Sequence, residues 1–160
     1  MRAIEAAAAG GPEVLRLADA EEPRPARHEV LVDVAACGVN YIDTYQRSGV
    51  YEVSYPLRPG LEGAGVVAEV GQDVDWARPG DRVAWAATPG SYAERVVLRA
   101  DDCYRVPDAV ALETAAALML QGLTAHYLSA SSFPLQPGHV ALVHAGAGGV
   151  GLLLTQLAVA

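Results

Sequence analysis

From Met1 to Pro107 the chain is interrupted at short intervals by glycine and proline, and this leaves little room for long helices. The pieces between the breaks are short and rich in β-branched or alternating apolar residues. "RAIEAA" and "EVLRLAD" flank the Gly10-Gly11-Pro12 turn, and "EVLVDVAACGV" alternates cleanly. "LEGAGVVAEVG" is a further strand, loosened by Gly63 and Gly65, where backbones can approach closely. "RPGDRVAWA" and "GSYAERVVLRADDCYRVP" continue the pattern behind a Pro-Gly-Asp turn, with Asp81 read as a turn residue. One helix interrupts it. "NYIDTYQRSG" has helical spacing between Tyr41 and Tyr45 and stops at Gly49. The pattern predicts a small all-β barrel.

After Pro107 the character changes. "DAVALETAAALMLQGLTAHYLSA" is rich in Ala and Leu and predicts helix, in one piece or in two meeting at Gly122. "PLQPGHVALVHAGAGGVGLLLTQLAVA" predicts a turn, a strand over 139–145, a glycine loop and a helix. Gly146-Ala147-Gly148-Gly149-Val150-Gly151 fits G-x-G-x-x-G in the context that gives the motif meaning. The first glycine allows a tight turn, the second lets backbone approach a pyrophosphate, and the third lets helix pack on strand. The helix N-terminus then offers N–H groups and a positive dipole end to phosphates. The bland alternative is a glycine-rich connection. The residue that would choose NAD or NADP, about twenty positions further on, falls beyond Ala160.

Charge excludes some functions. The formal net charge of -8 argues against nucleic acid and anionic membrane surfaces. The chain is 52% hydrophobic over 160 residues, enough for a sizeable core. Cys37 and Cys103 form no close pairing motif, which fits a reduced, cytoplasmic protein, and the N-terminus lacks the apolar run of a signal peptide. Residues 140–160 contain no Asp, Glu, Lys or Arg and have the length of a membrane span, so a tail anchor is a competing reading. The clustered glycines divide that stretch and favour the strand–loop–helix reading.

Several separate stretches, in order, resemble one family. "CGVNYIDTYQRSGVY", "PLRPGLEGAGVVAEVG", "PGDRVAWA", "GSYAERVVL", "AAALMLQGLTAHYL" and "VHAGAGGVGLLLTQLA" are similar to the zinc-independent quinone oxidoreductases, the zeta-crystallin-like branch of the medium-chain dehydrogenase/reductases. The resemblance implies a GroES-like β-barrel domain over residues 1–125, an α+β unit. The first βα unit of a Rossmann domain would follow over 126–160, with that domain incomplete. It implies NADPH-dependent reduction of a quinone, with NADPH preferred over NAD, no zinc, and a homodimer in the cytoplasm.

Zinc-dependent relatives of the superfamily place a Cys ligand where Asn40 stands and a His ligand where Leu61 stands. Leucine cannot ligate. Cys37 matches neither position, and "DRVAWA" runs almost directly into "GSYAER", leaving no structural-zinc lobe. His28, His126, His139 and His144 are too scattered for a tetrahedral set. The resemblance gives Asn40 the lost metal position, near nicotinamide or substrate, and makes Tyr45 and Tyr51 pocket walls. It makes Thr124 a contact to the nicotinamide side, and Gly146, Gly148, Gly149, Val150 and Gly151 the pyrophosphate loop.

The residues themselves leave alternatives open. Tyr41 and Tyr45 could be core, Asp43 a helix-start or surface charge, His144 a packed strand residue, and Cys103 inert. A GroES-like domain with a structural or partner-binding role is the non-enzymatic alternative. The short nucleotide region is expected to mark a fragment or truncated product, inactive alone, with a helix whose apolar surface self-associates or frays.

Overall fold

The computed structural model describes residues 1–160, which form two compact units, Met1–Ala117 and Leu118–Ala160. In the first, β1 (Arg2–Ala6) and β2 (Leu15–Asp19) form an antiparallel hairpin, with Ile4 opposite Leu17. Five more strands follow: β3 (Glu29–Cys37), β4 (Gly63–Val70), β5 (Arg82–Trp85), β6 (Arg95–Arg99) and β7 (Cys103–Arg105). They form one antiparallel sheet in the order β6-β3-β4-β5-β7. This is a GroES-like half-barrel rather than a closed barrel, because β6 and β7 remain its edges.

β3 is the long central strand. Its Val30, Leu31 and Val32 are all buried, and register shifts on either side of Val32 and Val34 bend it against β4. The core cluster joins Val30, Val32, Val67, Val83, Trp85 and Leu98. Trp85 is the largest buried side chain, and its indole N–H donates to Ser91 Oγ at 2.9 Å. It lies so close to β4 that a Cβ on Gly63 would come within 2.5 Å of its ring. Burying a side chain of this kind is worth roughly 1.5–3 kcal/mol.

Helix α1 (Tyr41–Ser48) begins at Asn40 and ends at Gly49, whose φ of 79° is the left-handed cap that glycine adopts without strain. Helix α2 (Leu112–Tyr127) starts in the first unit and crosses into the second. Arg82 anchors the approach to α2 by donating to the carbonyls of Pro107, Asp108 and Val110. The boundary between these compact units lies inside α2.

In the second unit one open alternative closes and one expectation fails. α2 does not break at Gly122, since one interior glycine costs only about 1 kcal/mol against a continuous ladder. Residues 139–145 form no strand. They have no hydrogen-bonded neighbour strand in this chain, and Val140 is wholly exposed. His144 is accordingly exposed in a turn region, not packed in a strand. A π-helical turn (Leu128–Ser132) ends α2, and α3 (Gly149–Val159) follows the glycine loop. No helix is long and apolar enough to cross a membrane.

Candidate functional site

Asn40 is the N-cap of α1 and is buried, in extended backbone conformation. Its Nδ2 donates to Glu62 Oε1 at 2.6 Å. Its backbone N–H donates to Asp43 Oδ2 at 2.8 Å, the reach-back half of a capping box. The same Asp43 oxygen accepts the Tyr92 hydroxyl at 2.9 Å. Asp43 is thus a helix-start residue, but a buried one rather than a surface charge. Its Oδ1 is buried without a hydrogen-bond partner.

This cluster is acidic and dry, and the titration of its neighbours reflects that. Burial pushes the Tyr92 hydroxyl above its ordinary range, and the bond to Asp43 adds to the effect. Cys37 is exposed as a residue, yet its thiol is pushed up, first by loss of water around the sulfur and then by Asp43 and Glu62. It is therefore a poor nucleophile at neutral pH. Cys103 is buried and its thiol is pushed up to about 12, by burial and then Asp102, in keeping with an inert role. Asp81 occupies its turn as expected, accepting the Arg78 N–H at 3.1 Å.

Tyr45 and Tyr51 come together edge to face, with ring centroids 5.5 Å apart, and Tyr41 stands 6.1 Å from Tyr45. All three are exposed, Tyr41 to 80%, so the core alternative for Tyr41 and Tyr45 falls away. Their faces can stack on a planar ring and their hydroxyls can reach its oxygens. Leu61 is buried, and no three His, Cys, Asp or Glu side chains come together to hold a metal ion.

The second unit carries the other predicted residues. Ala145 takes a left-handed φ of 51° and turns the chain into the glycine loop. Gly148 is the N-cap of α3, and the N–H groups of Gly149, Val150 and Gly151 begin the helix without carbonyl partners in its own ladder. A Cβ on Gly151 would come within 2.2 Å of the Ala145 carbonyl, whereas one on Gly146 would meet nothing nearer than 3.8 Å. The loop is thus tight where helix meets chain and open at its first glycine. Thr124 donates its hydroxyl proton to the Leu120 carbonyl at 2.7 Å, so toward a ligand it offers acceptor lone pairs.

Sequence reading missed Glu62 and Tyr92 and set Asp43 aside. The signals were faint: an Asn with an acid three residues on, and a single acid in the otherwise uncharged run "GLEGAGVVA". Nothing local marks Tyr92, which lies 49 residues from Asp43.

Residues 26–108 match the alcohol dehydrogenase GroES-like domain, and the chain belongs to that family. Among curated proteins it is similar to the quinone oxidoreductase of Pseudomonas aeruginosa, 46% identical over 97% of this chain and 48% of that protein. It is also similar to human quinone oxidoreductase, 39% identical over 99% of this chain and 49% of that protein. The chain spans about half the length of the curated relatives it matches. Among solved structures it superposes on Escherichia coli quinone oxidoreductase complexed with NADPH, with TM-score 0.96, 41% identity, and coverage of 99% of this chain and 49% of that one.

Proposed function

We propose that this chain carries the substrate side and the pyrophosphate loop of a zinc-independent, NADPH-dependent quinone reductase. The observation that carries the reading is the pair at the two positions where zinc-dependent relatives would place ligands: Leu61 buried, and Asn40 held on Glu62. Such a site has no Lewis acid of its own to polarise an alcohol or ketone. It suits an acceptor that is already electron-poor, such as a quinone. NADPH, when bound, would supply the hydride. Its likeness to quinone oxidoreductases, and the NADPH complex of the bacterial neighbour, support this choice of substrate and cofactor.

In this reading Tyr45 and Tyr51 wall the quinone, and Asn40 orients the reacting rings. Thr124 contacts the nicotinamide side, and the Gly146–Gly151 loop takes the pyrophosphate on the free N–H groups of α3. The substrate domain would extend over 1–125, the nucleotide domain would begin at 126, and the working form would be a cytoplasmic homodimer.

In a full-length protein carrying these residues, Asn40→Ala and Tyr51→Ala are each expected to lower quinone turnover on the order of tenfold. Tyr51→Ala should leave the melting temperature unchanged, while Asn40→Ala should also lower it, because it removes the cap of α1 and the donor to Glu62. Elemental analysis is expected to find no stoichiometric zinc. Unchanged kinetics with several quinones for both variants, or one firmly held zinc per chain, would overturn the reading.

A further inference from the structure

The glycine loop holds one glycine more than its motif requires. In G-x-G-x-x-G the required glycines are Gly146, Gly148 and Gly151, and Gly149 stands where any residue would do. Gly149 opens α3 and its backbone is not in the left-handed region. The position therefore does not use the conformational freedom of glycine, which is a poor helix former.

What it uses is room. A Cβ on Gly149 would fall on the carboxamide of Gln121, with Oε1 the nearest atom and Nε2 the farthest at 2.9 Å. The amide group thus fills the place of the missing side chain. Gln121 is half-buried on α2 and belongs to the same compact unit as the loop. Its oxygen lies nearest the start of α3, as the positive end of the helix dipole favours. Thr124 follows three residues later on the same face of α2, about 4.5 Å further along the helix axis.

We propose that Gln121 is a further residue of the cofactor site. Its carboxamide forms the side wall of the pyrophosphate cradle, in contact with a phosphate bound at the start of α3. The inference rests on the reading of residues 146–151 as the pyrophosphate loop. A phosphate held on the N–H groups of residues 149–151 would lie beside Gly149, where the carboxamide is packed. The wall needs no vacant hydrogen bond at Gln121, which has interactions of its own in the fold. It needs a neutral group of that length, because a carboxylate of the same shape would repel the phosphate. α2 would then run along the cofactor, with Gln121 beside the pyrophosphate and Thr124 toward the nicotinamide.

The test exploits that shape, since Gln121→Glu keeps the length and adds a charge. An acid near a helix start is stabilising, so this variant should melt no lower than the wild type. The 160-residue chain, ¹⁵N-labelled, is titrated with NADPH to millimolar concentration and followed by NMR, so that weak binding is still read. In the wild type, the backbone amides of residues 149–151 and the Gln121 side-chain NH2 pair should shift together. Gln121→Glu should raise the NADPH Kd about tenfold at low ionic strength. The gap should narrow as salt is added, because salt screens a charge and leaves a steric effect unchanged. Gly149→Ala, which pushes the carboxamide from its place, should also raise the Kd. In a Gln121→Ala background the same methyl meets vacated space and should change the Kd much less.

A Gln121 NH2 pair that stays still while residues 149–151 shift would overturn the wall and leave the loop reading in place. So would a Gln121→Glu chain that binds as the wild type does, or a loss of affinity that salt does not reduce. Equal effects of Gly149→Ala in both backgrounds would show that the glycine is not reserved for Gln121, and would overturn it too. Should Gln121→Glu fail to fold, the two Gly149→Ala titrations decide alone. If NADPH leaves the amides of residues 149–151 unmoved, the pyrophosphate reading falls and this inference falls with it.

Discussion

The two units use their polar side chains in opposite ways. In the first, side-chain bonds cross long stretches of sequence: Asn40 to Glu62, Tyr92 to Asp43, Arg58 to Glu5 at 2.7 Å, and Arg2 to Glu94. In the second, several stay within one turn of helix. Thr124, Ser129 and Thr155 each bond the carbonyl four residues back, and Gln156 does the same. Apolar groups follow suit. The first unit buries Trp85, Val30, Val32 and Val83 completely, while Val140, Leu142 and Val159 of the second stand in solvent. Long-range pairs tie a fold to one arrangement, whereas local ones only decorate a helix that must find its packing elsewhere. A site built on the first unit is therefore preorganised by the chain itself. The glycine loop is preorganised only at its turn.

The sharpest way to break this contrast is to damage each unit equally and compare. Trp85→Ala removes a fully buried indole and leaves Ser91 without its donor. A loss of roughly 3–5 kcal/mol is expected, a large part of the ~5–15 kcal/mol that holds a domain together. Leu142→Ser, at an exposed position, should change stability by no more than about 0.5 kcal/mol. It should also reduce self-association, because it breaks an exposed apolar surface. Denaturant melts and light scattering check both. A Leu142→Ser chain that unfolds as readily as Trp85→Ala would mean that the second unit has a core of its own.

The same contrast explains what could be read from sequence. The strands of the first unit were legible because alternation and turn residues are local signals, and each run lies beside a partner strand. The glycine loop and α3 were legible for the same reason. The run at 139–145 carries two valines in an otherwise apolar stretch, but a strand exists only when another pairs with it, and local pattern carries no such information. The buried cluster was half legible. Asn40 and Asp43 sit at capping-box spacing, but the burial of Glu62 and the bond from Tyr92 depend on how β4 and the segment before β6 meet α1.

A smaller perturbation tests whether the cluster is as tightly built as its contacts suggest. Gly38→Ala places a methyl where the Glu62 carboxylate lies. The backbone at Gly38 is not in the left-handed region, so the penalty comes from crowding alone. Displacing Glu62 is expected to destabilise the chain by about 1–3 kcal/mol, in the range of overpacked cores. Gly146→Ala, in the open part of the loop, should cost much less, since nothing lies within 3.8 Å of the added carbon. Equal losses in thermal melts would erase the difference between the two units at the level of single glycines.

The smallest expected effect concerns pH. Burial, and then the bond to Asp43, hold the Tyr92 hydroxyl in its protonated form beyond the ordinary tyrosine range. The folded state therefore keeps this proton at a pH where the unfolded chain, with tyrosine near about 10, has begun to release it. A group raised in this way stabilises fully below the unfolded value. Its contribution is lost as pH climbs toward the folded one. Unfolding midpoints of the wild type should fall between about pH 9 and 11 more steeply than those of Tyr92→Phe, which has no proton to lose there. Below that window the wild type should be the more stable of the two, because Phe leaves Asp43 Oδ2 with the Asn40 N–H as its remaining donor among these bonds. Converging curves on the alkaline side would place Tyr92 inside the cluster. Parallel curves across the whole range would mean that the hydroxyl is as open to water as the exposed tyrosines of α1, and that the buried network ends at Asp43.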